Sequence, residues 1–93
     1  MVVTFEKFLS HPVVQEFLTT IHFKNDSEKE YVLKKLYNTQ KRHHLSWESE
    51  EKRNQHSLDN IEKIRWDVKK KCFKVYYKKT KDWYHYDLNG NWY

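Results

Sequence analysis

The sequence predicts an α+β fold, with two or three N-terminal helices packed on a C-terminal antiparallel β-meander of three or four strands. The alternative is a winged helix. Apolar residues recur every three or four positions in the first two-thirds of the chain and every second position from Ile64 onward, the periods of a helix face and of a half-buried strand. Turn-forming clusters punctuate the later region and end in Asn89-Gly90, the strongest short hairpin signal. The 4 Trp, 7 Tyr and 5 Phe residues supply core volume that an apolar content of only 38% would otherwise lack. A length of 93 residues allows one domain, 1–93, divided into a helical part, 4–62, and a meander, 64–93.

The first helix opens on Thr4, whose hydroxyl can cap a free backbone N–H, with Glu6 near the positive end of the helix dipole. Ser10-His11-Pro12 continues or restarts it, because proline is tolerated in a first turn. Phe5, Phe8, Leu9, Val13, Phe17, Leu18 and Ile21 form its apolar stripe. Ser27 with Glu30 reads as a capping box that starts the second helix. Tyr31, Val32 and Leu36, with Leu33 and Tyr37, give it an inner face, and it is expected to end near His43-His44. Ser46 then caps a third helix with only Trp47, Asn54, Leu58 and Ile61 along one side, a face too sparse to hold it alone.

In the meander, Ile64, Trp66 and Val68 alternate with Arg65, Asp67 and Lys69; Phe73, Val75 and Tyr77 alternate with Cys72, Lys74 and Tyr76. After a turn at Thr80-Lys81-Asp82, Tyr84, Tyr86 and Leu88 alternate with Trp83, His85 and Asp87. If the first set in each strand packs on the helices, the outer face carries Arg65, Lys74, Tyr76, Trp83 and His85.

Charge is concentrated in the same region. Residues 1–45 hold seven Lys or Arg against five acids, residues 46–62 two against five, and residues 63–93 nine against three, or +2, −3 and +6. Cations interleaved with flat rings are what a single-stranded nucleic acid requires: the cations neutralise phosphate and release counterions, and the rings stack on bases. Arg65, Lys69, Lys74, Lys78 and Lys79 are the expected phosphate contacts, with Tyr76 and Trp83 as stacking rings and His85 beside them. The simpler reading is that Tyr and Trp are good strand formers and that the lysines keep an exposed sheet from pairing at its edges.

Several chemistries are disfavoured. A single glycine, Gly90, leaves no phosphate loop, dinucleotide fingerprint or nucleophile elbow. No metal site or cofactor is expected, because the six histidines include no i, i+4 pair and there is one cysteine; solvated histidines are the expectation. His43-His44 with Asn54 and His56 is similar to an HNH nuclease in residue types, but its spacing is too compressed. A winged helix would read bases through Lys52 to Ser57, and the −3 charge of that segment opposes entry into a polyanionic groove.

Two helices before a basic meander with a late histidine resemble the RelE-type ribosome-dependent toxins in organisation. A metal-free ribonuclease is accordingly the enzyme alternative, with Arg65 and His85 as its catalytic pair because they share the expected outer face with Lys74 and Tyr76 and a histidine exchanges protons near neutral pH. The segment Asp82 to Tyr93 also resembles single units of the choline-binding cell-wall repeat and of the YD repeat, over about a dozen residues and without repetition, so no function is carried over.

The expectation is therefore a small binding protein rather than an enzyme, meeting nucleic acid or a nucleic-acid-processing protein through the basic aromatic sheet. A chain without alanine and rich in residues with A/T-rich codons suggests a viral or mobile-element origin, and with it the alternative of an inhibitor of a host defence or replication factor. The absence of an apolar span and of a leader in MVVTFEKFLSH predicts a cytoplasmic protein with no membrane partner. Cys72 is expected to be a free thiol in a strand.

Overall fold

The computed structural model describes residues 3–93 and shows an α+β arrangement: four helices, a 3₁₀ turn, then a three-stranded antiparallel sheet whose strands lie side by side in chain order. Helix α1 spans Phe5–Ser10 and α2 spans Pro12–Leu18. Thr4 caps α1 as expected, its Oγ1 accepting from the Lys7 N–H at 3.2 Å. The chain does restart at Pro12. His11 is extended and caps α2, its Nδ1 accepting from Val13 N–H at 3.2 Å, which leaves Nε2–H to donate to Asp59 Oδ1 at 3.0 Å. That contact fastens α2 to the segment that leads into the sheet.

Helix α3, Asp26–Ser46, begins and ends beyond its expected limits. Its cap is Asn25 rather than Ser27. Asn25 Oδ1 accepts from Glu28 N–H at 2.8 Å while the Glu28 carboxylate accepts from Lys24 N–H at 2.7 Å, a reciprocal arrangement two residues upstream of the predicted box. Leu33 and Leu36 are buried with Thr39, Gln40, His43 and His44, whereas Tyr31, expected inside, is 58% exposed. The helix therefore buries an apolar first half and a polar second half.

The expected third helix shrinks to α4, Glu50–Gln55, capped by Ser49 rather than Ser46, followed by a 3₁₀ turn at Leu58–Asn60. The winged-helix alternative fails here. Arg53 donates to the Trp47 and Glu48 carbonyls at 2.8 and 2.7 Å, Lys52 lies over the Trp47 ring, and His56 is buried, so these residues close a loop instead of presenting a reading edge.

Strand β1 runs Ile61–Asp67, β2 Cys72–Tyr77 and β3 Asp82–Asp87. The sheet starts three residues before Ile64 because a register shift lies between Ile61 and Lys63. With that bulge Ile61 and Ile64 both turn inward despite their odd spacing. Val68, expected on the core face, is 76% exposed because it begins the β1–β2 turn. Both four-residue turns close on a lysine of positive φ, Lys71 at 52° and Lys81 at 58°. After β3 the chain turns at Asn89-Gly90 and comes back to form one bridge, Trp92 with Tyr86, a rudimentary fourth strand.

The core lies between the helices and the inner sheet face. Phe8, Val14, Phe17, Leu33 and Leu36 meet Ile61, Ile64, Phe73, Val75, Tyr77 and Tyr86 there. Phe17 and Phe73 meet edge to face at 5.8 Å, joining α2 to the central strand. Among the described residues no helix is long and apolar enough to cross a membrane.

Candidate functional site

The outer sheet face is organised by the register into three rows. Lys63, Tyr76 and Trp83 lie abreast, then Arg65, Lys74 and His85, then Asp67, Cys72 and Asp87. Strand alternation alone puts all nine on one side. The five residues expected on this face occupy it. Arg65, Lys74, Trp83 and His85 line one open groove of about 690 Å³ together with Trp66, Asp67, Val68 and Lys69. The Tyr76 and Trp83 rings meet at 5.1 Å, and Trp83 remains 46% exposed.

Not all predicted contacts share that groove. Lys69 lies in the β1–β2 turn and Lys78 and Lys79 in the β2–β3 turn, at opposite ends of the sheet. Lys74 is not a free cation: its Nζ is 3.5 Å from Asp67 Oδ2. Asp67 also accepts from the Lys69 and Lys70 N–H groups at 3.0 Å each, and its carboxyl is held below its ordinary value, first by the Lys70 bond and also by the Lys74 charge.

The returning tail alters the face in a way the alternation pattern did not include. His85 and Tyr93 exchange backbone hydrogen bonds, His85 N–H to Tyr93 O at 2.8 Å and Tyr93 N–H to His85 O at 3.1 Å. Their rings are parallel within 5° at 5.0 Å. Tyr93 reaches the Cys72 thiol, which is wholly buried although it belongs to the outer row; burial is the main cause that pushes this thiol up from its ordinary pKa. The tail is held by the Asp87 carboxylate, which accepts from Asn89 and Asn91 N–H at 2.9 Å each, and by Arg42, which donates to the Gly90 carbonyl and lies over the Trp92 ring. Gly90 has φ +88°, and a Cβ there would collide with the Arg42 guanidinium. Tyr93 was missed as a site residue. Alternation carried past Asn89-Gly90 would have put Trp92 inside and Tyr93 outside.

On the opposite side of the sheet lies a buried polar cluster that sequence patterning did not reveal. His43, His44 and His56 are buried, contrary to the expectation of solvated histidines. His43 is ringed by Tyr84 at 4.4 Å, His56 at 5.1 Å and Trp92 at 5.4 Å, and His56 stacks on Trp47 at 4.4 Å. His43 Nδ1 is 2.7 Å from the Tyr86 hydroxyl, which in turn contacts the Tyr77 hydroxyl. Among the described residues, Nε2 of His43 and Nε2 of His56 meet no hydrogen-bond partner. Desolvation, helped by His56 and His44, lowers the His43 pKa from 6.5 to about 4, and burial pushes the Tyr77 phenol up to about 12. Both groups are thus neutral at physiological pH. Among the described residues no three His, Cys, Asp or Glu side chains converge to hold a metal ion.

Arg65 and His85, the pair expected of a ribonuclease, stand on the two outer strands with Lys74 between them, about 10 Å apart across two strand spacings. Comparison with known proteins finds no family model, no curated protein and no solved structure that matches this chain. The functional reading therefore rests on the chemistry of its surface.

Proposed function

We propose that the chain is a non-catalytic binding protein that contacts nucleic acid, or a nucleic-acid-bound enzyme, through the outer face of its sheet. The observation that carries this reading is the juxtaposition of two rows: Lys63, Tyr76 and Trp83 beside Arg65, Lys74 and His85. Phosphates suit the β1 side, where the cations are, and bases suit β3, where the rings are. The hairpin tips support the same reading. Lysine occupies both left-handed positions, Lys71 and Lys81, where glycine or asparagine would be less strained, and a costly residue at a conformationally special position calls for a reason such as charge.

The test is affinity for short single- and double-stranded DNA and RNA across a salt series. With about four cations engaged on a single strand, the logarithm of the association constant should fall with a slope of about −3 against the logarithm of salt concentration. Arg65→Ala with Lys74→Ala should flatten that slope. Failure to bind any of the four in a salt-dependent way would remove direct nucleic-acid recognition.

A further inference from the structure

We propose that the outer face takes two successive bases of a single strand, one stacked on Trp83 and the other on Tyr93, and that it rejects duplex. This rests on the nucleic-acid reading above and specifies its ligand. Trp83 and His85 are two residues apart on the same side of β3, so their rows are separated by about 6.6 Å. Tyr93 lies parallel to His85 and extends away toward Cys72, so the Trp83 and Tyr93 platforms are at least that far apart. Stacked bases in a duplex rise only about 3.4 Å per step. His85 covers one face of Tyr93, so two bases stacked at that rise cannot be clamped between the rings, and occupying both requires that they part. An unpaired strand can be drawn out to do so, each base exchanging its neighbour for a protein ring.

Both rings are accessible and held in place. Trp83 is 46% exposed and braced by Tyr76, while Tyr93 is 62% exposed and backed by His85. Tyr93 is not a loose side chain. Its backbone pairs twice with His85, the preceding Trp92 is wedged beside His43 under Arg42, and Asp87 ties the turn. Little side-chain freedom remains to be lost on binding, so stacking energy is not spent on ordering the platform. Arg65 and Lys74 lie in the neighbouring strands at the height of His85, between the two rings, where the phosphate joining the two bases would pass. Asp67 and Asp87 flank the Tyr93 ring at the far end of the face and oppose a phosphate beyond it, which limits the stacked stretch to about two nucleotides.

Fluorescence anisotropy with eight-nucleotide oligothymidylate and oligouridylate, and with a blunt duplex of equal length, tests this on the full chain. The single strands should each bind at least ten-fold more tightly than the duplex. Trp83→Ala and Tyr93→Ala should each weaken single-strand binding roughly 5- to 100-fold without changing the salt slope. Tyr93→Phe, which keeps the ring, should retain the affinity, and thermal melts establish that each variant is folded. Duplex binding as tight as single-strand binding, or ring variants that bind like wild type while Arg65→Ala with Lys74→Ala does not, would overturn the two-base assignment and leave the electrostatic reading standing. No binding to any probe would overturn both.

Discussion

Lowering the pH through the histidine range puts the heaviest load on the His43 pocket. In the unfolded chain its imidazole takes a proton at about pH 6.5; in the folded protein, enclosed by Tyr84, Trp92 and His56, it does so only at about 4. Between those values the unfolded state holds a proton that the folded state excludes. Stability is therefore complete above pH 6.5 and falls by about 1.4 kcal/mol for each pH step below it, about 3 kcal/mol by pH 4, where the loss levels off. His44, whose pKa is also lowered mainly by burial, adds to the loss in the same direction. For a domain whose total stability is about 5–15 kcal/mol, that is a large fraction. The assay is a urea-unfolding series at pH 7.5, 6.5, 5.5 and 4.5, followed by tryptophan fluorescence. His43→Phe forfeits the bond to Tyr86, which costs about 1 kcal/mol, but should flatten most of the slope. Asp67 and Asp87 do not confuse the window: both are held below their ordinary 3.8, so their contribution, present above that value, is lost only as pH falls further. Wild-type stability that is flat from pH 7 to 4.5, or a His43→Phe slope equal to wild type, would refute the reasoning.

Three other outcomes follow from the same contacts. Asp67→Asn keeps an oxygen for the Lys69 and Lys70 N–H groups but releases Lys74, so binding to single-stranded oligonucleotide should tighten several-fold at low salt and converge with wild type at high salt. Cys72 should resist iodoacetamide in the native protein at pH 8, while Gly90→Ala, by dislodging the tail, or Tyr93→Ala, by uncovering the thiol, should raise its labelling rate at least ten-fold by mass spectrometry. Phe17→Ala should cost about 3–5 kcal/mol in urea unfolding, because it removes the ring that joins α2 to Phe73.

Where alternation and capping express local physics, the sequence could be read directly. Thr4 caps where its hydroxyl meets a free N–H, and Phe73, Val75, Tyr77 and Tyr86 face inward because a strand gives them no other choice. Cys72 is a free thiol in a strand, as expected, though its burial depends on Tyr93 arriving from the tail. Errors arose where one residue type could serve two local roles. Asn25 and Ser27 are both competent caps, and the choice fell to the one whose partner acid, Glu28, also satisfies Lys24. Ile61 fits a helical spacing from Leu58 as well as it fits a strand, and only the bulge at Ile61/Lys63 decides it. His43 and His56 look solvated because neither has an apolar neighbour pattern. Their burial comes from Tyr77, Tyr84, Tyr86 and Trp92, thirty or more residues further along than His43 and roughly twenty or more beyond His56, and no periodicity encodes such a meeting.

Trp92 and Tyr93 are adjacent in the chain, yet they pin opposite sides of the same sheet. A load on one is therefore felt by the other. Anything that lifts the tail from His85 must also draw Trp92 away from His43. The Cys72 thiol outside and the His43 imidazole inside are thus covered by two neighbouring residues, one on each side of a single peptide bond.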